Sequence, residues 1–197
     1  MNYAPEPDMI RSFLALEISD DARDWIEDRS REMRRELKGN IRWVKREALH
    51  ITLHFFGGIP RGAIEEVEKI LEPLAGRFAP FVLRMRGIGA FPNLRNPRVF
   101  WAGVEDLTER RTLREFYETM RATLEGGGFA VEKRPFTPHV TIGRIKKLVK
   151  FEMDRFRNLP QGPVFDVSSL TFFRSDLTPK GPIYQPLNRF SFGGKEE

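Results

Sequence analysis

The chain contains no cysteine, which excludes a disulfide framework and any thiolate metal site. It has no apolar run long enough to cross a bilayer. Its opening residues, Met1-Asn2-Tyr3-Ala4-Pro5-Glu6-Pro7-Asp8, are polar and carry two prolines, unlike a secretory signal. Histidine is scarce, at three residues, and glutamine scarcer still, at two. These absences lead to the expectation of a soluble cytoplasmic protein. Few glutamines and no cysteine beside abundant Arg, Lys and Glu also resemble a thermophile composition.

What is abundant is charge. Asp, Glu, Lys and Arg make up 31% of the 197 residues, with a net charge of +5 and an isoelectric point near 9.7. A positive surplus suits a polyanionic partner, nucleic acid being the simplest, although many proteins are modestly basic for solubility alone. Apolar residues reach 40%, enough for a core in one large domain or two small lobes.

Hydrophobic patterning predicts strands over 10–18, 41–44, 49–56, 81–88, 98–104, 136–145, 164–174 and 183–190. Helices are predicted from Ser19-Asp20 to about residue 38, over 63–74, over 106–124 and, as a short one, near 150–157. Gly57-Gly58-Ile59-Pro60 and the stretch from Leu177 to Pro182 read as turns, and Gly126-Gly127-Gly128 as a helix terminus. Strands and helices mix without regular βα alternation, so an α+β fold with largely antiparallel sheets is expected. There is no low-complexity linker. One two-lobed domain over 1–197 is expected, with 1–9 as an N-terminal extension.

The sharpest feature is a duplicated tetrad. His50-Ile51-Thr52-Leu53 and His139-Val140-Thr141-Ile142 share one pattern, lie 89 residues apart and use two of the three histidines. On a strand, side chains alternate between faces, so His and Thr share one face while the intervening aliphatics face a core. Each copy is approached by a basic pair, Lys45-Arg46 and Lys133-Arg134, which suggests two related lobes facing each other. Two such strands brought together would converge two acid–base groups and two hydroxyls on one spot. Histidine titrates near neutrality, and hydroxyl donors can bind phosphoryl oxygens, so the pair is shaped for a phosphoester without a metal. One tetrad alone would be an ordinary buried strand that happens to hold a histidine. The duplication reverses that.

His50 and His54 have the spacing of a helical metal pair, but the β-branched and aromatic run between and after them is a strand. Residues four apart on a strand lie roughly 13 Å from each other, and no acidic cluster completes a site. His54 is therefore expected as a strand-end residue near the cleft rim. Phe55, Phe56 and Phe136 could stack on a base, with core packing the first assignment for each.

These motifs resemble the LigT-type RNA 2′,3′-cyclic phosphodiesterases, also called 2′-5′ RNA ligases, of the two-histidine phosphoesterase superfamily. The resemblance covers nearly the whole chain. It includes Arg11-Ser12-Phe13-Leu14-Ala15-Leu16-Glu17, Arg42-Trp43-Val44-Lys45, Gly89-Ala90-Phe91-Pro92-Asn93, Pro97-Arg98-Val99-Phe100-Trp101-Ala102-Gly103, Phe136 to Arg144, and Ser175-Asp176-Leu177-Thr178-Pro179-Lys180-Gly181. It implies a bilobed fold around a central cleft, with helices on the outer faces. It also implies metal-independent hydrolysis of a terminal 2′,3′-cyclic phosphate to a 2′-phosphate, and reversible 2′-5′ ligation. By motif position, His50 would be the general acid, His139 the base, and Thr52, Thr141 and Arg144 the phosphate ligands. Strict alternation places Arg144 on the face opposite His139, so its reach depends on the strand ending or twisting there. No cofactor, metal or membrane is expected; the partners are RNA ends or nucleotides with a 2′,3′-cyclic phosphate, and a monomer is expected. Two other readings are a non-catalytic RNA- or nucleotide-binding module and a phosphodiesterase for small cyclic nucleotides or 2′-5′ oligonucleotides.

Overall fold

A computed structural model describes residues 8–109, 111–150, 159–179 and 181–193. Strand β1 (Met9–Glu17) leads into α1 (Asp20–Glu36), capped by the Ser19 hydroxyl, which accepts from the Ala22 amide at 3.2 Å. Then follow β2 (Lys38–Trp43), β3 (His50–Pro60), α2 (Ala63–Ala75), β4 (Phe81–Phe91) and β5 (Val99–Asp106). Helix α3 (Thr112–Gly126), β6 (His139–Lys150), β7 (Val164–Val167), β8 (Ser169–Thr178) and β9 (Gly181–Ser191) complete the order. The short helix expected near 150–157 lies outside the described residues, apart from Lys150, which ends β6.

All the pairings are antiparallel and form one sheet in the order β7-β4-β5-β6-β3-β1-β8-β9, with β2 also paired to β6. The expected α+β fold is therefore present, but its two halves share a continuous sheet. One half is β3-β1-β8-β9 and the other β6-β5-β4-β7. They meet where Ile51 pairs with Val140, the one residue pair joining β3 to β6 among the described residues.

The sheet is strongly curled. Laid flat, β7 and β8 would stand six strand spacings apart, about 29 Å. Yet Ser168 alone connects them, a link that reaches about 7 Å at most. The outer edges of the two halves therefore come together, tied by the Phe192 amide donating to the Ser168 carbonyl at 2.9 Å. That is why the single strand expected over 164–174 is two strands serving different halves.

Two other expectations change for local reasons. Gly57–Pro60 continues β3 as an irregular strand end, with Gly57 at φ 73°, a conformation open to glycine at little cost. Helix α3 starts six residues later than expected, because Asp106 is a capping group. Its carboxylate accepts from the Thr108 and Leu113 amides at 2.9 and 2.8 Å, holding the loop ahead of the helix. The three glycines at 126–128 do end α3.

Alternation divides the sheet cleanly. Leu14, Leu16, Ile51, Leu53, Phe100, Ala102, Val140 and Ile142 are buried on the helix-covered face. A cluster of Phe78, Phe81, Phe116 and Phe192 fastens α3 to the closure between the halves, with ring centroids 5.0–5.2 Å apart for Phe78–Phe116, Phe81–Phe192 and Phe116–Phe192. Phe116 is fully buried at its centre. Phe116→Ala is expected to cost about 3–5 kcal/mol in urea denaturation; a loss below roughly 1 kcal/mol would show that the closure does not depend on this cluster.

Candidate active site

The single seam pair decides the geometry of the site. With Ile51 opposite Val140 in an antiparallel pair, His50 falls opposite Thr141, and Thr52 opposite His139. All four side chains then share the face away from the core. The histidines become diagonal neighbours across the seam, a separation of about 7–8 Å between the residues. Thr52 and Thr141 stand beside them, and all four are half-buried.

Each imidazole is held in the same way. The His139 Nδ1 lies 2.7 Å from the Thr137 carbonyl, and a ring N–H of His50 donates to the Ala48 carbonyl. Both acceptors lie two residues upstream of their histidine. In a neutral ring this bond places the proton on Nδ1 of His139 and leaves Nε2 as the acceptor. The Ala48 carbonyl belongs to a 3₁₀ turn, Arg46–Ala48, anchored by the Arg46 guanidinium to Asp20, Asp24 and Glu27 of α1.

Aromatic side chains wall the two rings. Phe13 stacks on His50 at 4.9 Å and Tyr184 meets it edge-on at 5.3 Å. Phe91 meets His139 edge-on at 5.0 Å, with Trp101 at 6.3 Å. Burial pushes the His50 imidazole down to about 4, helped by the nearby His139 and Arg144; the Ala48 bond opposes this only in part. His139 is lowered too, by burial first and by Arg144. Both rings are therefore neutral at pH 7 in the unliganded cleft. Burial also raises the Tyr184 phenol, against the charges of Arg144 and Arg11.

Arg144 reaches this face through a β-bulge. Trp101 pairs with Thr141 and Phe100 with Gly143, so Ile142 is an extra residue that reverses the alternation beyond it. The other half has the same device at the same place. Ala15 pairs with Thr52 and Leu14 with His54, leaving Leu53 extra. The position five residues after each histidine is thereby turned onto the cleft face: Arg144 in one half, Phe55 in the other. Arg144 acts electrostatically on His50, His139 and Tyr184 alike. Phe55, 46% exposed, stacks on Phe13 at 5.2 Å beneath the Arg11 guanidinium.

The same bulge corrects the expectation for His54. It turns inward, is 6% exposed, packs edge-on against Phe56 at 4.4 Å, and its Nε2 has no hydrogen-bond partner. It does not lie at the rim. Among the described residues, no three His, Asp or Glu side chains stand together as a metal site would require. Sequence reasoning did not single out Phe13, Phe91, Trp101, Phe173 or Tyr184 as cleft walls. Their signal is cross-strand position, visible only once the register is known. Phe136 stacks on Tyr117 at 3.9 Å, away from the histidines' own ring contacts.

The sheet brings two half-buried His-x-Thr strands onto one face, and comparison with known proteins gives the class of protein, a phosphoesterase. The chain belongs to the LigT like phosphoesterase family, which it matches over residues 16–101 and 106–184. A protein of Methanothermobacter thermautotrophicus named RNA 2′,3′-cyclic phosphodiesterase is 32% identical, covering 92% of this chain and 98% of its own. Its namesake in Thermotoga maritima is 33% identical over 94% and 97%. The crystal structure of TT0787 from Thermus thermophilus superposes with a TM-score of 0.77 at 30% identity, covering 95% of this chain and all of the other. Escherichia coli LigT complexed with 3′-AMP gives 0.70 at 26% identity, over 94% and 99%. The protein is a phosphoesterase.

The buried His54 makes a measurable prediction. Its imidazole is pushed down to about 4 by burial, against roughly 6.5 in an unfolded chain. Neutral burial therefore supports the fold above pH 6.5, and that support is lost as pH falls toward 4. Between pH 7 and 4, the wild type should lose up to roughly 3 kcal/mol more stability than His54→Leu in urea titrations. Parallel pH–stability curves for the two proteins would contradict it.

Proposed function

We propose that the protein hydrolyses the terminal 2′,3′-cyclic phosphate of RNA to a 2′-phosphate, using His50 and His139 as an acid–base pair. The observation that carries this is the seam register, which supports opposed His-x-Thr strands on a single face. The names of the relatives supply the substrate class.

The cyclic phosphate sits between the two rings, its non-bridging oxygens accepting from the Thr52 and Thr141 hydroxyls and facing the Arg144 guanidinium. Neutral His139, its Nδ1–H on the Thr137 carbonyl, takes a proton at Nε2 from a water. That water oxygen bonds to phosphorus as the P–O3′ bond breaks. His50 gives its proton to O3′, so the products are a 3′-hydroxyl and a 2′-phosphate. Each positioned proton transfer contributes on the order of 10²–10⁴-fold, and each donor to the phosphoryl oxygens roughly 3 kcal/mol. These residues supply every proton and every oxygen ligand the step needs, so this reading requires no metal ion. With a nucleoside 5′-hydroxyl in place of water, the same groups open the ring into a 2′-5′ linkage, and the reverse step closes it again.

His50 must be protonated to serve as the acid, yet desolvation holds it down to about 4. The bound phosphate is the anion that reverses this, since an adjacent negative charge favours imidazolium. Substrate thus creates its own acid.

The test is incubation with an RNA ending in 2′,3′-cyclic phosphate, with chelator present. Turnover to the 2′-phosphate is expected, with a bell-shaped pH profile belonging to the coupled pair. His50→Ala and His139→Ala should each lower kcat by about 10²-fold or more with the fold intact. Unchanged RNA at high enzyme concentration would favour a binding module, and preference for small cyclic nucleotides or 2′-5′ oligonucleotides would redirect the substrate assignment.

A further inference from the structure

Beyond the seam, β2 pairs with β6, Trp43 with Gly143, Arg42 with Arg144, Ile41 with Ile145 and Asn40 with Lys147; β5 flanks β6 as far as Ile145, and past that point β2 and β6 continue as a two-stranded arm. Ile41 and Ile145 are half-buried on the core side. Arg42 lies directly across from Arg144 and shares its cleft-facing side. Lys146 is an extra residue on β6 at this point, and that bulge reverses the alternation on β6 so that Lys147, three residues after Arg144, lies on the same side, opposite Asn40. Lys38 follows two residues beyond Asn40. The row Arg144, Arg42, Lys147, Lys38 therefore leads away from the two histidines along one face.

Three features separate this row from an ordinary solvated strand. Neither β2 nor β6 contains an acidic residue. Arg42, Arg144, Lys147 and Lys38 are all exposed, and none forms an ion pair among the described residues, whereas Arg23, Arg29 and Arg31 on α1 each pair with a carboxylate three residues away. Like charges directly opposite on paired strands are unfavourable, and Arg42 against Arg144 is such a pair. An anion between them removes the repulsion and takes two guanidinium forks.

We propose that this arm is a track for the phosphate backbone of single-stranded RNA immediately 5′ of the reacting end, beginning at the Arg42–Arg144 pair. The proposal rests on the reading of the cleft as an RNA-end site and extends it to the body of the substrate. From Arg42 to Lys38 the strand advances about 13 Å, so the track spans several phosphates and carries no base selectivity. Affinity along it comes from displaced counterions, which makes it salt-dependent.

The test measures binding of an RNA of roughly ten nucleotides ending in a 3′-hydroxyl, by fluorescence anisotropy across a salt series. The combined variant Lys38→Gln, Arg42→Gln, Lys147→Gln should bind roughly tenfold more weakly, with a log Kd against log salt slope shallower by about 2, at ~0.7 for each phosphate no longer neutralised. Lys38→Gln and Lys147→Gln alone should each remove about 0.7, and they carry the test if the combined variant does not fold. Lys69→Gln, exposed on α2, is the charge-matched control and should leave the slope as in the wild type. Wild-type binding and slope in the arm variants, or an equal effect from Lys69→Gln, would overturn the track. Because this RNA has no cyclic phosphate, failure of the hydrolysis assay strikes the reading of the reaction and leaves the binding result standing.

Discussion

One residue pair, Ile51 with Val140, holds the two halves of the sheet in register at the centre of the molecule. Everything at the cleft depends on it, because the strand period is two and a slip of one residue would turn one strand's cleft-facing histidine and threonine into the core. The pair is itself fully buried, so the slip would also expose that strand's aliphatic side chains while burying its two polar ones. A pair of backbone hydrogen bonds could not enforce that choice alone. The enforcement comes from alternation on both strands, with Ile51, Leu53, Val140 and Ile142 all committed to the helix-covered face.

The site has an unusual electrical balance. Two imidazoles sit neutral in a cleft facing Arg144, because desolvation and the neighbouring guanidinium both disfavour charging them. The positive field comes from arginine, which cannot release its proton. The two imidazoles stay uncharged beside it at neutral pH. The Thr137 carbonyl, two residues upstream, fixes which nitrogen of His139 is available, so the orientation of that ring is set by the main chain.

Much of this was legible from residues alone. Alternating runs located the strands, Ser19 marked a helix start, and the repeated His-x-Thr pattern put His50, Thr52, His139 and Thr141 on one face, as the seam register does. What could not be read was anything created by an extra residue in a ladder. The bulges at Leu53 and Ile142 exist only relative to a partner strand, so strict alternation sends Arg144 to the wrong side and leaves His54 at the rim. The break at Ser168 escaped for a similar reason. The run from Val164 to Arg174 is locally one strand, and only the curl of the sheet divides it between halves. Asp106 displaced a helix start because a side chain, invisible to periodicity, caps from six residues away.

The paired bulges leave one lasting inequality in an otherwise twofold arrangement. Five residues past each histidine, one half presents a cation and the other an aromatic ring, Arg144 against Phe55. A perfectly duplicated cleft would accept a bridging group in two poses related by the twofold and treat both ends of it alike. With guanidinium on one flank and a flat apolar face on the other, the two poses differ in energy. The likeness of the two halves is thus broken at this matched position, and that break gives the cleft a direction.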